Sequence, residues 1–154
     1  MSLPGAILAI DPGTKRVGFA VSDGLRLGGT PLEVWTRRDL EQDLRRVETL
    51  VESYEVVEIL VGLPLRQDGS DSASTVRARA FAEAVADRLP GLPVRTRDET
   101  LTTWAAEERM TELGIPRRDW KSKVDAFAAL ILLEEDLIET APDGASPPDG
   151  ADAD

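Results

Sequence analysis

Four acids stand where chemistry could use them. Asp11 ends the apolar run "AILAID" and is followed by Pro12-Gly13-Thr14 and two cations, Lys15 and Arg16. Asp98 and Glu99 end the run "LPVRTRDE", and Asp125 opens the apolar stretch "VDAFAALILL". Each has a plain structural explanation. Asp favours the first position of a turn, acids favour the start of a helix, and Ser122-Lys-Val-Asp has the spacing of a capping arrangement. Gathered at one place, however, such carboxylates would repel one another unless a cation neutralised them. Hard oxygen ligands suit Mg²⁺ or Mn²⁺, and two such ions about 3.5–4 Å apart can activate a water and stabilise the leaving oxygen of a phosphodiester. The chain has no histidine and no cysteine, so acid–base or metal chemistry here has to run on carboxylates and lysines.

Whether the acids meet depends on the elements that carry them. "AILAID" and "VGFAVSD" have strand character, and Pro12-Gly13 between them suits the centre of a type II turn, which predicts a hairpin. "TPLEVWTR" adds a third antiparallel strand. Leu40, Leu44, Val47 and Val51 recur at helical spacing behind a capping pair, Asp39 and Gln42. "VVEILVGLP" reads as a strand buried on both faces. A second helix follows the polar loop "RQDGSDS" and turns Val76, Phe81, Val85 and Leu89 inward. A fifth strand, "LPVRTR", precedes a third helix that Thr102 or Thr103 can cap; the last helix is expected from about Ser122 to Glu139 and is apolar almost all round, hence buried. Three meandering strands followed by βαβ units give a five-stranded mixed α/β sheet with helices on both faces, the order of RNase H-like folds. The first strand is then central, and the acids fall at the carboxyl edge of the sheet, where sites form in open α/β sheets.

Composition bounds the rest. A chain of 154 residues with 42% apolar content suits one domain, expected over residues 1–140, with an acidic, disordered tail over 141–154. The formal charge of −11 taken whole opposes a nucleic-acid partner, but eight of the 29 acids and none of the 18 bases lie from Glu134 onward. The body is close to balanced. No apolar run reaches the roughly 20 residues of a membrane span, and no secretory signal opens the chain, so a cytoplasmic protein without a membrane partner is expected.

Four blocks, "ILAIDPGTKRVGFAVSD", "LVGLPLRQDGS" leading into "RARAFAEAV", "DETLTTWAAEERM" and "VDAFAALILL", together resemble the YqgF or RuvX-like family of the RNase H superfamily over residues 5–137. The resemblance implies a divalent-metal-dependent nuclease associated with maturation of the 16S ribosomal RNA precursor and also described as Holliday-junction resolvase-like. By position it implies Asp11, Glu99 and Asp125 as metal-binding and catalytic acids, with Asp98 beside them. One departure stands out: the family usually follows "DE" with arginine, where this chain has Thr100. If that arginine holds a substrate phosphate, either Thr100 weakens the contact or Arg97 or Arg95 supplies it from the strand.

The other cations fit a nucleic-acid partner, structured RNA or branched DNA. Lys15 and Arg16 follow Asp11; Arg77 and Arg79 open the second helix; Arg117, Arg118, Lys121 and Lys123 flank the start of the last. Each is a candidate for a backbone phosphate, and each could equally be a solvated surface charge. Trp35, Trp104 and Trp120 could stack on unpaired bases, although at least two are expected to be packed. Two alternatives remain. An Asp-x-Gly-Thr turn between strands also occurs in actin-like and sugar-kinase-like ATP-binding proteins, which need a second copy of the domain; and the same fold could serve as a non-catalytic RNA- or ribosome-binding module. A homodimer is expected only if the substrate is a junction cut symmetrically.

Overall fold

The computed structural model describes residues 3–99 and 102–141. Thr100 and the expected tail from residue 142 lie outside them. The chain runs β1 (Ala6–Pro12), β2 (Arg16–Ser22), β3 (Gly29–Thr36), α1 (Leu40–Ser53), β4 (Val56–Leu63), α2 (Ala73–Arg88), β5 (Val94–Asp98), α3 (Thr102–Glu112), a 3-10 turn (Arg117–Asp119) and α4 (Val124–Glu139). The five strands form one sheet in the order β3-β2-β1-β4-β5. β1 pairs antiparallel with β2 and parallel with β4, so the strand that carries Asp11 is central, as its sequence predicts.

Alternation along β1 supplies both layers of the core. Leu8 and Ile10 face α1 and α2, packing with Val47, Leu50, Phe81 and Val85, whereas Ile7 and Ala9 face α3 and α4, packing with Met110 and the run from Phe127 to Leu133. That second layer explains why α4 is apolar almost all round: it lies against the sheet on one side and α3 on the other. No helix among the described residues is long and apolar enough to cross a membrane.

Several local expectations need correction. The hairpin does not turn on Pro12-Gly13: Pro12 is still paired with Val17, and the Gly13 N–H donates to the Arg16 carbonyl at 2.8 Å, leaving Thr14 and Lys15 as the turn. Val76 is not inward but 58% exposed, because the buried stripe of α2 runs through Thr75, Ala78, Phe81, Ala82 and Val85, and one residue along a helix is a 100° rotation away. Leu40 is also exposed. α4 starts at Val124, and the Ser122 hydroxyl donates to the Asp119 carbonyl rather than capping the helix. The Asp39 cap is present, accepting from the Gln42 N–H at 2.8 Å. An unforeseen box caps α2. Ser72 accepts from the Thr75 N–H, Thr75 Oγ1 accepts from the Ser72 N–H, and Thr75 also donates to the Pro64 carbonyl at 2.6 Å, which ties the start of α2 to the end of β4.

Candidate active site

Two glycines beside Asp11 allow distant acids to reach it. Asp11 pairs across the hairpin with Gly18, and α4 lies so close over Gly18 that a Cβ there would stand 1.9 Å from the Asp125 carbonyl oxygen. On the other side, Gly62 follows the Ile10–Val61 pair, and the Glu99 side chain lies over it, with Cδ 3.0 Å from where a Cβ would be. The Glu99 N–H donates to the Leu63 carbonyl at 2.9 Å, carrying the β4–β5 pairing one step past the strand. Residues that the chain separates by scores of positions thus line one open cleft of about 400 Å³: Asp11, Glu99 and Asp125, with Gly13 and Thr14 of the hairpin turn, Ser74 and Arg77 of α2, Thr102 and Thr103 of α3, and Arg37.

The electrostatics of this group are those of a carboxylate pair short of a cation. Burial raises the Asp11 carboxyl above its ordinary range; the hydrogen bond with Glu99 opposes that shift, and the Asp125 charge adds to it. Burial likewise pushes Glu99 up, far more strongly, and the charge of Asp11 adds to it. Two buried carboxyls in contact resist ionising together, which favours a proton kept between them, and the upward push is the stronger on Glu99. Glu99 Oε1 is buried with no hydrogen-bond partner. A buried acceptor without a donor, within an all-carboxylate donor set, suits a hard divalent cation that would replace the proton. Among the described residues no three such side chains already stand as a ready coordination shell. Asp125 is turned onto Arg16, whose Nε donates to Oδ2 at 2.8 Å.

The remaining candidates divide. Arg77 lines the cleft, bonded among the described residues only to the Ser74 hydroxyl, at 3.2 Å. Arg16, expected to face substrate phosphate, is engaged by Asp125 instead. Asp98 is exposed and lies outside the cleft, in a separate hollow lined also by Thr96, Arg97, Glu135 and Glu139. Arg97 and Arg95 do not reach the cleft either: Arg97 pairs with Glu139 at 2.6 Å and Arg95 with Asp136 at 2.8 Å and with Glu58. Lys15, Lys121 and Lys123 are exposed near the hairpin turn and the start of α4 without lining the cleft. Arg79 pairs with Asp71. Trp35 and Trp120 are packed, donating to Asp43 and to the Ile115 carbonyl at 2.9 Å each, while Trp104 is 63% exposed. Sequence reasoning missed Gly18, Gly62 and Arg37. The first two left a trace, a glycine inside each of two apolar strands; Arg37 left none.

Comparison with known proteins gives the family and the fold. The family model described as "RuvX: Holliday junction resolvase" matches residues 5–139. A protein of Anaeromyxobacter sp. (strain Fw109-5) named "Putative pre-16S rRNA nuclease" is 42% identical over 127 residues, 82% of this chain and 92% of that one. A protein of the same name from Streptomyces avermitilis is 34% identical over 148 residues, 96% of this chain and 95% of that one. Among solved structures, T. thermophilus RuvC in complex with a Holliday junction substrate superposes with a TM-score of 0.56 at 18% identity, over 88% of this chain and 94% of that one, a likeness of fold. With a family match over nearly the whole described body and relatives alike over more than nine-tenths of their lengths, this chain belongs to the RuvX, Holliday junction resolvase, family.

Proposed function

We propose that this protein is a divalent-metal-dependent endonuclease that hydrolyses phosphodiester bonds by direct attack of water, acting in the cytoplasm on the 16S rRNA precursor. The observation that carries the reading is the convergence of Asp11, Glu99 and Asp125 on one cleft. These three would hold Mg²⁺ or Mn²⁺, which when bound supplies a water of lowered pKa and neutralises charge on the leaving oxygen. Asp11, on the central strand, would form the floor; Glu99 would have to be deprotonated and Asp125 released from Arg16 for both to hold the ion; Arg77, on the cleft wall, would meet a substrate phosphate. Asp98, outside the cleft, is left no direct part. Lys15, Lys121 and Lys123, exposed near the hairpin turn and α4, would meet phosphates farther along the backbone.

The names of the relatives support the ribosomal RNA substrate, and the family description favours branched DNA as a second reading. A junction substrate would require a homodimer to cut two strands symmetrically. The deciding experiment incubates a 16S rRNA precursor fragment and a four-way DNA junction with the full chain, with Mn²⁺ or with chelator, beside Asp11→Asn. Cleavage that needs the metal and is lost in the variant is expected. Binding without cleavage would point to a non-catalytic RNA- or ribosome-binding module, and turnover of ATP to the nucleotide-binding alternative.

A further inference from the structure

Arg37 is the cation in the cleft that the fold holds most firmly, and no motif accounts for it. It follows β3, and its backbone N–H donates to the Lys15 carbonyl at 2.9 Å, joining the strand end to the hairpin turn. Its guanidinium is fixed at three further points. Nε donates to Asp43 Oδ2 at 3.0 Å, Nη1 donates to the Gly13 carbonyl at 3.1 Å, and the group lies over the Phe81 ring, 5.1 Å from its centre. Asp43 sits on α1 with a side chain fully closed to solvent, and its other oxygen is taken by the Trp35 indole N–H and the Arg38 backbone N–H, both at 2.9 Å.

A buried carboxylate that accepts three hydrogen bonds and releases none to water is an expensive way to hold a surface arginine. It becomes intelligible if the arginine must be held in place. Two of the five guanidinium N–H groups are used by Asp43 and Gly13, leaving one on Nη1 and both on Nη2 without a partner among the described residues. The side chain is 22% exposed and lines the same cleft as the three acids. Arg95 and Arg97 contrast with it, since their guanidinium groups are taken up by Asp136 and Glu139 outside the cleft, and Arg16 is held by Asp125. Arg77, also lining the cleft, has among the described residues only the Ser74 hydroxyl to steady it.

We infer that Arg37 is a substrate-phosphate-binding residue, presenting its Nη edge to a non-scissile phosphate of the nucleic-acid backbone, and that buried Asp43 is its positioning residue. This rests on the nuclease reading for the identity of the ligand. Bracing the fork beforehand removes most of the ordering loss that a free arginine would suffer on binding, and a planar fork matches phosphate where an ammonium does not.

The test is equilibrium binding of a fluorescent four-way DNA junction to the full chain in chelator, across a series of salt concentrations. Arg37→Gln alone would strand the buried Asp43 charge, so it is paired with Asp43→Asn, and Arg37→Lys is made separately; circular dichroism checks folding. The double variant is expected to bind about tenfold more weakly, with the slope of log K against log salt reduced by about 0.9, the loss of one duplex phosphate contact. Arg37→Lys should keep the slope and still bind several-fold more weakly, because it keeps the charge and loses the bracing. Wild-type affinity and slope in the folded double variant would overturn the inference, as would wild-type affinity in Arg37→Lys should the double variant not fold. Cleavage with Mn²⁺ by wild type and by Asp11→Asn, run in parallel, separates this outcome from failure of the nuclease reading, which would appear as no metal-dependent cleavage whatever the binding result.

Discussion

Gly18→Ala is the sharpest perturbation of the site that leaves every polar group in place. The added Cβ would lie 1.9 Å from the Asp125 carbonyl oxygen, 2.2 Å from its carbonyl carbon and 2.8 Å from the Ala126 nitrogen. Non-bonded carbon needs about 3.5 Å, so the first turn of α4 has to retreat from β2 by more than ~1 Å. Both sides of the clash are backbone, so no rotamer change relieves it. Overpacking of this kind destabilises by about 1–3 kcal/mol, and the upper end is expected here; for a domain of this size that is a melting temperature lower by about 6–12 °C. Because the retreat also carries Asp125 away from Asp11, and a displacement of ~1 Å at a reacting centre lowers rates about 10²-fold, cleavage should fall by about that factor even well below the melting temperature. Thermal denaturation and single-turnover cleavage with Mn²⁺ measure the two effects separately. Gly28→Ala, where an added Cβ meets nothing within 4 Å, is the control. If Gly18→Ala melts and cleaves like that control, α4 does not position Asp125 in the way described.

The proton shared at the cleft floor gives a pH signature. Glu99 is raised well above its ordinary value of 4.5, so from there up to the raised value the folded chain retains a proton that the unfolded chain has lost, and metal-free stability falls as pH rises through neutrality. Glu99→Gln should flatten that dependence and be more stable than wild type at mildly alkaline pH in chelator; melting curves in which wild type gains stability with pH would contradict it. Arg16→Gln frees Asp125 and should lower the Mn²⁺ concentration for half-maximal cleavage about two- to fivefold, the scale of one partly exposed ion pair, whereas an unchanged metal titration would mean that Arg16 does not compete with the ion. Away from the site, Asp136→Ala removes the buried partner of Arg95 and Arg97 and should destabilise by about 2–3 kcal/mol in urea, below the figure for a fully buried pair because Arg95 stays a third open to water, while cleavage by the folded fraction persists.

The regular architecture was legible from local pattern alone. Apolar alternation and helical spacing are short-range properties, so the element order, the central first strand, the Asp39 cap and the buried last helix could be read off the chain, and four ordered motif blocks carried the family. Errors fell where one residue of phase matters. Val76 sits one position off the stripe defined by Phe81 and Val85, and Pro12-Gly13 looks like a turn until the pairing of Pro12 with Val17 is seen.

The chemical types at the site, carboxylates with no histidine or cysteine to share the work, were likewise determined by the sequence by itself. Which carboxylates meet was not, because adjacency across strands and layers depends on register and on how closely backbones approach. Only the tertiary structure laid Asp125 over Gly18 and Glu99 over Gly62, left Asp98 outside the cleft, drew Arg95 and Arg97 into the Asp136 network, and brought Arg37 to the cleft from a strand end that carries no motif. The physical reason is that a side chain's type is a property of one residue, whereas its direction and company are set by the packing of several elements at once.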